Sequence, residues 1–418
     1  SRPLRASAAT AMQLVEQHII SQSDSRWQAV DDAAFASKNL YNAANYRLRQ
    51  EFIFNHRYIS YPEMDAKMQD TEEYKALPAK AAQQVLIQLS HNWQSFFAAQ
   101  KECQELPEKF TARPRLPKYK DKQRGRNLLV YTLQAMSKTK REEGIIKPSK
   151  LDIEVATHQR NVACVRIVPK KTHYVVEVVY EKQEIVASGN PGLIAGVDIG
   201  LNNLAAVASN KPGFVPLLVN GRSLKSENQF YNKEKARLHS QLQDPEQGTS
   251  ARISRLTDTR NRRIHQELHT ASRYVIDFLV KEGIGTLVIG KNPNWKQEAN
   301  LGKRNNQNFV QMPHARFVQM LSYKAQLVGI QVIETEESYT SKCSMLDLEP
   351  IENHDVYMGR RIKRGLFRAS DGRLINADVN GAFNIMRKVF PNAFADGIED
   401  VVVHPLRMTC ISRKSAST

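Results

Sequence analysis

Cysteine is scarce in this chain: four in 418 residues (Cys103, Cys164, Cys343, Cys410), scattered and with no CxxC pair. That scarcity excludes a disulfide scaffold and a structural zinc site, and it suits a reducing cytosol. Long apolar runs are missing as well. No stretch approaches the roughly 18 apolar residues of a membrane span, so no membrane partner is expected. The opening SRPLRASAATAM has no apolar signal core and is expected to lie outside the fold. Internal repeats and low-complexity tracts are not evident. Acid is also in short supply: 43 Asp and Glu against 60 Lys and Arg leave a net charge of +17. A pI near 9.6 spread over a whole chain points to a polyanionic partner. Charge that serves only solubility is the competing explanation. Clustering of the basic residues favours nucleic acid.

What is present is ordinary globular material, 41% apolar and 25% charged, and enough of it for a sizeable core in roughly two to four domains. MQLVEQHII, from Met12, alternates as one strand. From Asp24 to about Gln104 the apolar residues recur at helical spacing, with Val85, Leu86, Leu89, Trp93, Phe96 and Phe97 on one stripe. Then TARPRLPKYKDKQRGRN, with three prolines and no periodicity, reads as a loop. Its Arg113, Arg115, Lys118 and Lys120, interleaved with Tyr119, fit a segment that tracks phosphates; a merely solvated charge run is the alternative. CVRIVPKKTHYVVEVVYEK reads as a β-hairpin, and ASGNPG (187–192) as a boundary.

A second domain is expected from Leu193. LIAGVDIG, LAAVAS and FVPLLVNG form a meander of three strands. A helical stretch follows to about Glu282, broken near DPEQGTS, with Arg260, Arg262 and Arg263 crowded at the start of its second arm. Next come strand TLVIG, helix HARFVQMLSYKAQLVG, strand IQVIETEE, an irregular region and helix NADVNGAFNIMRKV. Three antiparallel strands followed by alternating helix and strand is the order of a ribonuclease-H-like α/β core.

Two aspartates stand where chemistry would want them. Asp198 sits among apolar residues, where an unpaired carboxylate costs several kcal/mol unless something compensates it. A hydrogen-bonded turn serving Asn202 or Asn203 is the plain alternative to a metal ligand. Asp378 opens a helix and on its own is a first-turn acid complementing the helix dipole. Phosphodiester cleavage at neutral pH needs divalent ions held by carboxylate oxygens, brought together from several chain segments.

Taken in order, GVDIGLNNLAAV, LSYKAQLVGIQV, SYTSKCS and ADVNGAFNI resemble the RuvC nuclease domain of the TnpB (OrfB) proteins of insertion sequences, RNA-guided ancestors of the type V CRISPR effectors. The resemblance covers residues 193–390 and extends in character over the first half, through YNAANYRLRQ and PRLPKYK. It implies a β-barrel wedge (a first strand at 12–24, the rest at 106–190) with an inserted helical recognition lobe at 25–105. The RuvC-like nuclease would occupy 191–418, with a helical insertion at 222–283. It also implies a prokaryotic, cytoplasmic RNA-guided DNA endonuclease that uses two Mg²⁺, a guide RNA derived from the transposon's end, and target double-stranded DNA.

Two departures from the family's pattern stand out. The interval that usually holds a four-cysteine zinc ribbon keeps only Cys343. A zinc-free basic hairpin is expected at 338–376, with Arg361, Lys363 and Arg364 as nucleic-acid contacts. The family's middle glutamate is also missing, since Gly290 occupies its place in TLVIG. The next strand ends in Glu334, Glu336 and Glu337, and some members, the Fanzor branch among them, carry an acid displaced to just before T-S. Glu337 matches that position, which implies Asp198, Glu337 and Asp378 as catalytic metal ligands. Spacing alone does not separate Glu336 from Glu337, and edge charges that discourage strand aggregation are the alternative. A nuclease-inactive guided binder and a guide-free, structure-specific nuclease are the competing functions.

Overall fold

The computed structural model describes residues 11–183, 185, 189–242, 248–291, 313–399 and 401–409, so residues 1–10 and the heart of DPEQGTS lie outside the described residues. Two compact units meet in sequence between Lys182 and Gln183. No helix among the described residues is long and apolar enough to cross a membrane.

The first unit runs from β1 (Ala11–Ser21) through α1 (Trp27–Asn55), α2 (Tyr61–Met68), α3 (Glu72–Lys75) and α4 (Ala79–Glu105) to β2 (Leu129–Thr132). It continues through α5 (Lys138–Glu142), β3 (Ile145–Ile146) and β4 (Val155–Ala156) to the hairpin of β5 (Val162–Pro169) and β6 (His173–Gln183). The apolar stripe of α4 buries Val85, Leu86, Leu89, Trp93 and Phe96. Trp93 satisfies its indole N–H on Asn45 Oδ1, 3.0 Å away, as a buried polar tip requires. The sheet runs in the order β1-β6-β5-β2, with β3 and β4 as a separate pair. Among the described residues no sheet closes on itself, so an open sheet stands where a barrel is expected. Its end strands explain why. β2 has only four residues, and β1 buries Ile20 alone, leaving little apolar surface to drive closure.

The second unit holds β7 (Asn190–Asp198), β8 (Asn203–Ser209), β9 (Leu217–Asn220), α6 (Arg222–Ser240), α7 (Ala251–Lys281), β10 (Ile284–Lys291), α8 (His314–Leu327) and β11 (Gln331–Glu336). Then come β12 (Arg360–Lys363), β13 (Leu366–Arg368), β14 (Leu374–Asn376), α9 (Ala377–Val389) and β15 (Leu406–Met408). The main sheet runs β11-β10-β7-β8-β9-β15. β7, β8 and β9 form the antiparallel meander, whereas β10 lies parallel to both β7 and β11. This is the ribonuclease-H-like arrangement that the element order implies.

Both faces of the sheet are covered, so its central strands read as unbroken apolar runs. Ala195, Val197, Leu287 and Ile289 share a core with Leu268 and Val275 of α7 and Phe317 and Leu321 of α8. Ile194 and Val288 share the opposite core with Val379, Ala382, Phe383 and Met386 of α9. β12, β13 and β14 form a small antiparallel sheet where the basic hairpin is expected.

Candidate active site

β7 delivers Asp198 at its last residue, and strand alternation decides which acids can meet it. β10 pairs with β7 so that Ile289 lies opposite Val197, and with β11 so that Gly290 lies opposite Thr335 and Lys291 opposite Glu336. Side chains alternate between faces with a period of two. Asp198, Gly290 and Thr335 therefore take the α9 face, and Glu337 follows just past the end of β11, where its charge acts on Asp198. Glu334 and Glu336 take the opposite face, where Lys291 Nζ lies 3.0 Å from Glu334.

A side chain at Gly290 would displace the end of Ile385. A Cβ there would lie 2.5 Å from Cδ1 of Ile385, a side chain of α9. One turn earlier on the helix, Gly381 lets the backbone approach the Asp198 carboxylate: a Cβ would lie 2.7 Å from Oδ2. Asp378, in the first turn of α9, is gripped at both oxygens. Asn203 Nδ2 donates to Oδ2 at 2.6 Å, and Arg361 Nη2 of β12 lies 3.6 Å from Oδ1. Asn202, with its amide oxygen turned to the hairpin, accepts from Arg364 Nη2 and Nε at 2.7 and 2.8 Å. The two turn asparagines thus serve the helix acid and the hairpin.

Burial pushes the Asp198 carboxyl up to about 8, and the negative charges of Asp378 and Glu337 add to the rise; Arg361 and the Ile199 amide oppose it. A carboxylate raised by two others shares one local field with them. Among the described residues, no three His, Cys, Asp or Glu side chains are gathered closely enough to hold a metal ion between them. The side chains of Asp198, Asp378 and Glu337 are all carboxylates, the oxygen ligands that a hard divalent cation takes.

The other basic residues divide by their surroundings. Lys363 is exposed on β12, and Arg364 follows it in the turn. Arg260 is drawn into the α6–α7 pair, where its guanidinium bonds Asn228 Oδ1 at 2.5 and 2.8 Å and stacks on Tyr231; Arg263 pairs with Glu227 at 3.0 Å; Arg262 is exposed. In the first unit, α1 fixes the proline-rich loop by its backbone: Asn45 donates to Pro117 O, Lys38 donates to Lys122 O, and Asn42 bonds both the N–H and the C=O of Lys120. This leaves the side chains of Arg113, Arg115, Lys118 and Tyr119 exposed, with the Arg49 guanidinium 4.8 Å above the Tyr119 ring. A groove of about 530 Å³ opens beside them, lined by Tyr41, Phe96, Arg115, Lys118, Tyr119 and Lys120.

Sequence reasoning missed Gly381, Asn380, Asn384, Lys388 and Glu349. Their signal was available in part, in the spacing of D-x-N-x-A-x-N-I.

Residues 177–296 match the family model OrfB_IS605, described as a probable transposase, and residues 314–385 match the Cas12f1-like TNB domain. The TnpB-like protein ORF457 of Acidianus two-tailed virus is 26% identical over 396 residues, spanning 84% of this chain and 81% of that one. The CRISPR-associated endodeoxyribonuclease Cas12f1 of Sulfoacidibacillus thermotolerans is 31% identical over 150 residues, 35% of this chain and 31% of that one. Among solved structures, the Cas12f1 chain of a Cas12f1–sgRNA–target DNA complex superposes with a TM-score of 0.52 at 15% identity, covering 87% of this chain and 83% of that one, which shows a shared fold. Two family models in chain order, a TnpB-like relative aligned over most of both chains and a common fold agree in what they resemble: the chain is similar to the TnpB (OrfB) proteins along most of its length.

Proposed function

We propose that this chain is an RNA-guided DNA endonuclease with Asp198, Glu337 and Asp378 as its catalytic acids. The observation that carries the reading is that the Asp198 carboxyl responds to both Asp378 and Glu337 at one edge of a ribonuclease-H-like sheet. Its relatives support the class, since one is named an endodeoxyribonuclease and a solved neighbour holds a guide RNA and target DNA.

The three carboxylates would hold two Mg²⁺. Bound there, the ions supply activation of the attacking water and neutralisation of charge on the leaving oxygen. The chain's own residues do the rest. Asn203 orients Asp378, and Gly381 lets the carboxylate of Asp198 lie against α9. Arg361 stands beside Asp378 and Arg364 is fixed on Asn202, where a phosphate backbone entering the site would meet positive charge. The exposed Arg113, Arg115 and Lys118, with the half-buried Lys120, would supply further phosphate contacts, and Tyr119 offers a stacking face. Base pairing to the guide would supply sequence specificity, and the protein would read a short transposon-associated motif beside the target.

The test is to purify the chain with its bound cellular RNA, sequence that RNA, and exchange its guide segment. Mg²⁺-dependent cleavage of duplexes that follows the new guide supports the reading. Cleavage that persists after the RNA is removed makes it a guide-free nuclease. Guided binding without cleavage makes it an inactive binder.

A further inference from the structure

The motif D-x-N-x-A-x-N-I leaves two asparagines, Asn380 and Asn384, with no part in holding an ion. Both are fully buried on α9, where an unpartnered amide would be costly. Each spends its amide on one stretch of irregular backbone. Asn380 donates to Cys343 O at 2.9 Å and accepts from Met345 N–H at 2.9 Å. Asn384 donates to Thr340 O at 2.9 Å and Cys343 O at 2.7 Å, and Arg387 Nη1 donates to its Oδ1.

That stretch begins at Glu337. Thr340 donates to the Glu337 carbonyl from both its hydroxyl, at 2.7 Å, and its N–H, at 3.3 Å. Between them Tyr339 takes a left-handed backbone with φ of 65°, a conformation that a non-glycine residue adopts only when its surroundings impose it. Lys388, at the end of the same helix, donates to Ser338 Oγ at 2.8 Å and to Ser338 O at 3.3 Å. Glu337 is thus bracketed on its C-terminal side by Ser338, held by Lys388, and by Thr340, held by Asn384. The same α9 carries Asp378 in its first turn and touches Asp198 through Gly381. One rigid helix indexes all three acids.

We propose that Lys388 and Asn384 are positioning residues that set the reach of Glu337 toward Asp198 and Asp378, compensating for an acid that lies beyond its strand rather than within a neighbouring one. This rests on the reading of Glu337 as a metal ligand.

The experiment uses the full chain, with Mn²⁺ as the probe, bound in calorimetry, alongside melting temperature and guided target binding. Lys388 is only partly buried, so Lys388→Met folds, and Lys388→Arg keeps a donor as the conservative rescue. Lys388→Met should weaken Mn²⁺ binding about tenfold, the size of loss typical for a group that orients a ligand. Lys388→Arg should recover most of the loss, with target binding and melting temperature close to wild type. Glu337→Gln is the reference, and the double variant should lose no more than Glu337→Gln alone, because both act through one side chain. If Glu337→Gln binds Mn²⁺ more weakly and Lys388→Met binds it as wild type does, the positioning role is wrong and the acid site stands. An additive double variant with a lowered melting temperature overturns it too. If Glu337→Gln itself has no effect, the reading of the acid site fails and this inference falls with it.

Discussion

Gly381 lies so close to Asp198 that a methyl group on its Cα would fall 2.7 Å from the carboxylate Oδ2. The atom in the way is the end of a side chain, so the fold can yield at little cost while the site cannot. Gly381→Ala should therefore leave the melting temperature unchanged or raised, since alanine is favoured in a helix interior by about 1 kcal/mol. Guided cleavage should fall, on the order of 100-fold for an ångström-scale displacement of a catalytic group. Thermal melting beside single-turnover cleavage separates the two effects.

The raised carboxyl of Asp198 makes the metal-free protein pH-sensitive. Its folded value of about 8 lies above the ordinary 3.8, so the folded state keeps a proton that the unfolded chain releases. The resulting stability is fully present below about pH 4, declines as pH rises, and is gone above about pH 8. Asp198→Asn cannot ionise. In chelator, its melting temperature should gain on wild type steadily from pH 5.5 to pH 8 and level off beyond. A pH-independent difference would show that the carboxyl is not held protonated by its neighbours.

The loop pinned to α1 should bind phosphates. Neutralising Arg113, Arg115, Lys118 and Lys120 together should flatten the dependence of log affinity on log salt. Each phosphate that these side chains neutralise in the wild type contributes about 0.7 to 0.9 to the slope. Unchanged slope and affinity would make the loop a solvated charge run.

The segment expected to form a zinc-free hairpin contains a buried carboxylate. Glu349 accepts from the N–H groups of Ser344 at 2.7 Å and Met358 at 2.8 Å, binding the two ends of the irregular segment. Glu349→Ala should cost on the order of 1–3 kcal/mol, chiefly for the buried Ser344 donor left unpaired. Elemental analysis should find no tightly held zinc. One zinc per chain would refute this.

The order of elements in the second unit was legible because strands buried on both faces and amphipathic helices mark themselves by composition and period. Asp198 and Asp378 were legible as acids at element ends. The choice between Glu336 and Glu337 was not, because it turns on the register of β11 against β10, and a one-residue slip would exchange their faces. Nor was the packing of Ile385, distant in sequence, against Gly290. Arg260 misled because a basic cluster does not show which of its members turns inward; Tyr231 and Asn228 claim that guanidinium. The expected barrel rested on family resemblance, and the short β2 with the exposed β1 leaves the sheet open.

The central claim is that the missing acid is supplied by Glu337. The measurement that tests it most directly compares Glu337→Gln with Glu336→Gln, with Asp198→Ala as the inactive control, scoring guided cleavage and target binding separately. Glu337→Gln should lose cleavage as Asp198→Ala does and bind target as wild type does, because pairing and phosphate contacts hold the target. Glu336→Gln should cleave normally, its side chain lying on the other face of the sheet. Full cleavage by Glu337→Gln, or loss confined to Glu336→Gln, would contradict the account.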